Sequence, residues 1–372
     1  MNNEIENSVL LQKQDSKRLI ALDAARGLAV IGMFIQHFAL NQANSFVSGN
    51  TMILFMLCSG ISYSIMVQRM MKRNVTSAVF RSRILARAVF IDLVGYILIL
   101  LNAPFAVVLP AYAMLFILAL VLIPCSTRTL FIVSGVLFVA GPPLMILGLS
   151  LFSGAYLLSD IAGGPLSALG WAPVFVAGMA IGHLDLSHSR TALRLIAVGF
   201  AILIPFKLFA YFILPGVSQH FETWLLQFPG IVNHQADPYA IWPLNTQPPL
   251  WQMLFVDAPQ GGSAFELLIG TGLSLIILGA MCLIEKKSSA ILKPFSAVGR
   301  VALTLYAIQF IIAWGLKLAG IDVLSLNIGG IPFGDILLAA VTLVAGNALS
   351  CLPNGPLETL IRRFEGLFVQ NQ

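Results

Sequence analysis

Long apolar runs separated by short polar breaks fill almost the whole chain. A run of about 17–25 apolar residues, coiled as a helix, matches the hydrocarbon thickness of a bilayer. Ten such runs can be marked, at 19–38, 51–68, 84–101, 104–124, 129–150, 168–184, 192–214, 264–284, 298–318 and 334–352. The sixth gives the weakest signal, because "APVFVAGMAIG" is short and rich in Gly and Ala. The pattern predicts an all-α protein, a polytopic integral membrane bundle of about ten transmembrane helices over residues 18–353. A polar N-terminal segment (1–17) and a C-terminal tail (354–372) flank it. The opening "MNNEIENSVLLQKQDSK" has neither a short apolar core nor a small-residue cleavage site. The first span is therefore expected to stay in place as a signal anchor.

Charge sets the orientation. Only 10% of the 372 residues are charged and 58% are hydrophobic, against about 25% charged in a soluble domain. Lys13, Lys17 and Arg18 precede the first run. Arg69, Lys72, Arg73, Arg81, Arg83 and Arg87 lie between the second and third or in the first turn of the third, and Arg128 between the fourth and fifth. Arg190 and Arg194 follow the sixth, Lys286, Lys287, Lys293 and Arg300 separate the eighth from the ninth, and Arg362 and Arg363 follow the tenth. The alternate loops, near 39–50, 102–103, 151–167, 215–263 and 319–333, contain no Lys or Arg. The positive-inside rule then places both termini in the cytoplasm (N-in/C-in) and the protein in the cell's inner or plasma membrane, with the lipid bilayer as its first partner. The net charge of +5 is thus topological. No stripe of basic and aromatic residues lies in a long soluble segment, so no nucleic acid is expected.

The external segment 215–263 stands apart. It is rich in Pro and carries Trp224, Tyr239, Trp242 and Trp251 with His220, His234, Asp237 and Asp257. It reads either as an interfacial aromatic belt or as a lid whose aromatic faces, Trp224, Trp242 and Trp251, stack on a substrate. Cys58, Cys125, Cys282 and Cys351 show no metal spacing and no paired framework, so packing is their expected role and no metal is expected.

Chemistry concentrates in the first span, "RLIALDAARGLAVIGMFIQHF". Asp23 and Arg26 are three residues apart and share a helix face. His37 is eleven residues beyond Arg26, close to three full turns, and so lies over it about 16 Å along the axis. Intramembrane ionisable groups usually face a cavity or a partner. A stripe running from Asp23 and Arg26 inside to His37 outside suits an anionic cofactor entering from the cytoplasm. Gly27 and Gly32 permit close approach of a helix or ligand, and Ser59, Gly60, Ser62 and Ser64 give span two a small, polar strip. Lys207 either snorkels or pairs with Asp92. Asn347 is expected to bridge helices, and Gln309 in "GRVALTLYAIQF" to face a cavity.

These residues resemble a family. "RLIALDAARGLAVIGMFIQH" is similar to the opening of membrane-bound acyltransferases related to heparan-alpha-glucosaminide N-acetyltransferase and their bacterial relatives. The Arg26–His37 spacing also resembles the broader acyltransferase-3 group, as does "LFMLCSGISYSI". "WAPVFVAGMAIGHLDL", "GGSAFELLIGTGLSLIILGAMCLI", "GRVALTLYAIQF" and "GPLETLIRRFEG" resemble later segments of the bacterial branch. The "APQGG" before Ser263 and Thr359 in the closing motif depart from the usual pattern. The resemblance implies transfer of an acetyl or acyl group from cytosolic acyl-CoA (acetyl-CoA) to an external, carbohydrate-like acceptor of the cell envelope. In that scheme His37 is the catalytic base or is transiently acylated. Arg26, oriented by Asp23, holds the cofactor beside Gly27 and Ser59, and Gln309 with the loop tryptophans meets the acceptor. The rival expectation is a multi-span transporter or exporter of a small amphipathic solute, against which no paired inverted repeat is visible.

Overall fold

The structure, a computed structural model, describes residues 19–73, 75–152, 155–228, 249–323, 326, 328–351 and 355–368. Among these residues it is helical, without strands. In chain order the helices are α1 (Ile20–Phe38), α2 (Asn50–Lys72), α3 (Ser77–Leu100), α4 (Leu109–Leu118), α5 (Thr127–Leu151), α6 (Tyr156–Ala162) and α7 (Ala168–Ile181). They continue as α8 (Ser189–Phe212), α9 (Leu214–Leu225), α10 (Ala264–Arg300), α11 (Ala302–Leu318), α12 (Gly334–Ser350) and α13 (Pro356–Leu367). Each of the ten apolar runs carries helix. Five segments are long and apolar enough to cross a membrane: Ile20–Phe38, Ser45–Lys72, Thr127–Leu151, Ser189–Phe212 and Ala264–Arg300. Shorter apolar helices cover Leu109–Leu122, Ala168–Ile181, Ala302–Leu318 and Gly334–Ser350. The outward faces of α5, α8 and α12 are themselves apolar, with Ile132, Val136, Val139, Phe200, Ile204, Leu337, Val341 and Val344 all exposed. A soluble helix turns polar residues outward; these turn hydrocarbon outward, as a membrane protein does.

Because lipid offers helices no hydrophobic drive to associate, they hold together by close packing. Helix α1 lies against α10, where Gly27 abuts the Phe295 carbonyl and Gly299 abuts that of Asp23. Helices α2 and α7 meet in the same way at Gly60 and Gly178. The short α7 is buried along nearly its whole length. It is shielded from lipid, which explains how so short a Gly/Ala-rich run is accommodated.

Two boundaries differ from the hydropathy pattern. Helix α10 runs past 284 to Arg300, broken at Ser288 (φ −156°, ψ 90°), so Gly299 and Arg300 end α10 instead of opening the ninth span. Val301 (φ −114°, ψ 29°) interrupts the chain, and α11 starts at Ala302. Its first amides are satisfied by Glu358 of α13, which accepts from Leu303 N (2.8 Å) and Thr304 N (3.1 Å). A carboxylate at a helix N-terminus also offsets the helix dipole. Glu285 does the same for α1, accepting from Ile20 N (3.2 Å) and Ala21 N (2.9 Å). The segment 215–263 is not loop throughout, because Leu214–Leu225 forms α9; Trp242, His234, Asp237 and Tyr239 lie outside the described residues.

Candidate functional site

At the end of the bundle where α1 begins, a cavity of about 640 Å³ opens between α1, α2, α3, α4, α11 and α13. Ligand cavities span roughly 300–1,000 Å³. Its wall holds seven arginines, Arg26, Arg69, Arg73, Arg83, Arg87, Arg300 and Arg362, against three carboxylates, Asp23, Glu358 and Glu365. The lining thus carries four excess positive charges. Arg69, Arg73, Arg300 and Arg362 are exposed, Arg83 and Arg87 are half-buried, and the Arg26 side chain is only 17% exposed. Positive charge therefore continues from the mouth into the protein.

Arg26 is held from two sides. Its Nη2 donates to Ser62 Oγ and its Nη1 lies 3.5 Å from Asp23 Oδ1. Ser62 in turn donates to Cys58 O at 2.7 Å. The serine of the small strip that meets Arg26 is thus Ser62. Ser59, one turn from it, donates to Phe55 O at 2.7 Å. Gly27 serves the α1–α10 contact, and neither it nor Ser59 lines the cavity.

His37 is not a lining residue either. The cavity ends at Phe55, Tyr112 and Tyr306. Tyr306 packs on Phe310 (centroids 5.1 Å apart), and Phe310 meets the His37 ring edge-on at 6.2 Å. His37 also stacks on Phe105, at 4.2 Å and 6° between planes, and Phe105 in turn meets Phe310. An aromatic layer therefore separates the arginine cavity from the histidine. The imidazole is fixed by Gln309, with 2.6 Å between His37 Nδ1 and Gln309 Oε1. Gln309 is fully buried, and its Nε2 has no hydrogen-bond partner among the described residues. Gln309 thus faces the histidine and not the arginine cavity.

Outside this region, Lys207 pairs with Asp257 at 2.9 Å, so the Asp92 pairing does not form. Asp92 Oδ1 is buried without a hydrogen-bond partner among the described residues. Asn347 bridges helices as expected, donating from Nδ2 to Pro294 O of α10 at 3.2 Å. Trp224 is 51% exposed on α9. It lines an apolar concavity of about 690 Å³ with Phe212, Ile213, Val217, Phe221 and Phe255. That hollow lies near the start of α10, the bundle end opposite the arginines, and is no match for an anion. Trp251 begins a short 3₁₀ turn, Trp251–Phe255.

The sequence signal for the arginines was present but ambiguous. Arg69 with Arg73, and Arg83 with Arg87, are each four apart and so share a helix face, yet such charges also serve topology. No curated protein matches the chain. Residues 246–366, from the 3₁₀ turn through α13, match the profile of a family described only as a protein of unknown function, DUF418.

Proposed function

We propose that the protein is a ten-span membrane acyltransferase with both termini cytoplasmic, taking an acyl group from cytosolic acyl-CoA and delivering it to a carbohydrate-like acceptor outside. The observation that carries this is the arginine cavity, whose innermost cation, Arg26, shares a face of α1 with His37. Four excess positive charges suit the phosphates of a coenzyme A, and guanidinium forks bind phosphate in bidentate geometry. Asp23 and Ser62 orient Arg26. The pantetheine arm follows the stripe over the three helical turns to His37, the Phe105 and Phe310 rings parting to admit it.

With Gln309 Oε1 accepting at Nδ1, the imidazole proton sits on Nδ1 and Nε2 is left as the base. Nε2 removes the proton of an acceptor hydroxyl or amine as that atom attacks the thioester carbonyl. The carbon–sulfur bond breaks, the proton passes to the departing thiolate, and free CoA thiol and acylated acceptor result. Trp224 and Trp251 offer aromatic faces to the acceptor.

Radiolabelled acetyl-CoA supplied to inside-out vesicles, with an extract of envelope glycans, tests the reading. Label passes to glycan with the wild type and falls by about 100-fold or more in His37→Ala, general-base catalysis alone supplying 10²–10⁴, while size-exclusion behaviour is unchanged. Undiminished transfer in His37→Ala removes the histidine from the mechanism. Solute flux without any acyl dependence replaces the enzyme with a transporter.

A further inference from the structure

Helix α13 closes one side of the arginine cavity and is attached at two points of different kind. Its first turn is built into α11: Glu358 accepts from two backbone amides there and from Thr304 Oγ1 at 2.5 Å, and Thr304 Oγ1 accepts from Leu357 N at 3.1 Å. Its last turns are held differently. Phe364 leans on Phe90 of α3 at 5.6 Å, and Glu365 Oε1 accepts from Arg87 Nε at 2.6 Å. The Glu365 side chain is 9% exposed and that of Arg87 is 30%. One turn before Arg87, Arg83 lines the same cavity, and its buried Nε has no hydrogen-bond partner among the described residues.

Two adjacent guanidinium groups thus offer more donors than one carboxylate can use. A buried charged donor left without an acceptor is costly, and a phosphate, with three strongly accepting oxygens, is the group that would satisfy both arginines together. We propose that Arg83 and Arg87 form the anion subsite of the cavity for a phosphate group of its ligand. Glu365 is that subsite's tethered internal occupant, displaced when the phosphate arrives. The ligand pulls Arg87 from Glu365 and loosens the end of α13, while Glu358 keeps its beginning in place. That the phosphate belongs to coenzyme A rests on the function proposed above; the subsite itself requires only a phosphate-bearing ligand.

The alternative is that Arg87–Glu365 is a clip fastening α13, and the two differ in sign. Full-length protein in nanodiscs is titrated with inorganic pyrophosphate and, separately, with free coenzyme A. A tethered competitor that occupies the subsite most of the time masks affinity by its occupancy. Glu365→Gln therefore binds pyrophosphate about fivefold to tenfold tighter than wild type. Arg83→Gln, which removes an Nε without a hydrogen-bond partner among the described residues, binds about tenfold weaker with unchanged thermal stability. Ligand also raises amide exchange in the last turn of α13 and leaves the first turn protected. Equal or weaker binding by Glu365→Gln, or unchanged binding by Arg83→Gln, overturns the subsite. Pyrophosphate following this pattern while coenzyme A fails to bind keeps the subsite and removes the acyl donor.

Discussion

At Gly27 and Gly299 only glycine hydrogens separate two helix backbones. A Cβ at Gly299 would collide with the carbonyl of Asp23, and one at Gly27 with that of Phe295; in both cases the obstacle is backbone and cannot rotate away. Gly135 on α5 meets nothing within 4 Å. Gly299→Ala should therefore lower the thermal unfolding midpoint in detergent, overpacking costing about 1–3 kcal/mol. Gly135→Ala should leave it level or slightly raised, Ala being better than Gly in a helix by roughly 0.5–1 kcal/mol. Equal midpoints for the two variants would show that α1 and α10 do not touch as described. The small residues of the first span were visible in the sequence, but the side they serve was not. A glycine on a helix is a permission, and the helix that uses it is found only in three dimensions. His37 and Gln309 teach the same lesson, each conspicuous as a buried polar group, yet 272 positions apart when they bond.

Helices are where the apolar pattern read best and their ends read worst. The apolar runs located ten helical stretches, five of them in segments long and apolar enough to cross a membrane. They gave no hint that α10 extends to Arg300, because the break at Ser288 falls among polar residues and α11 is capped by a glutamate from α13. The segment 151–167 was read as loop, yet Asp160 of α6 lies where it accepts from Tyr96 Oη at 2.5 Å. Burial holds the Asp160 carboxyl above its usual range, opposed by that bond. A raised folded-state value means the protonated acid is favoured on folding. Its contribution is complete below the ordinary carboxylate value and is lost as pH rises through the raised one. Stability should decline as pH rises above the ordinary carboxylate value, and Asp160→Asn should flatten that part of the curve. A midpoint series in detergent at stepped pH decides it; a wild-type profile matching that of the variant removes Asp160 as the cause.

For the molecule as a whole, the basic residues carry two meanings at once. Spread along the sequence they read as topology, and folded they gather Arg69, Arg73, Arg83, Arg87, Arg300 and Arg362 around one cavity with Arg26. Neither meaning excludes the other, which is why sequence alone favoured the simpler. The topological one is open to direct test. In a cysteine-free background, a cysteine at Phe46, which is 66% exposed, should react with an impermeant thiol reagent added to whole cells. One at Arg73, also exposed, should react only after permeabilisation. The reverse order would invert the bundle and put the arginines outside.

The aromatic layer beneath His37 has a bearing on the host cell's energy supply. A bilayer that stores a proton-motive force tolerates no continuous file of water. Tyr306 and Phe310 stand between the arginine cavity and the imidazole, and Phe105 stacks on the ring itself. The layer would thus serve as an insulator and, under the proposed function, as a gate. Proteoliposomes loaded with a pH-sensitive dye should hold an imposed gradient with the wild-type protein and lose it faster with Phe105→Ala, and equal decay in both would place the seal elsewhere. Under the proposed function, catalysis and leakage are one opening seen at two durations: the rings would part long enough for an acyl group and close before a proton followed.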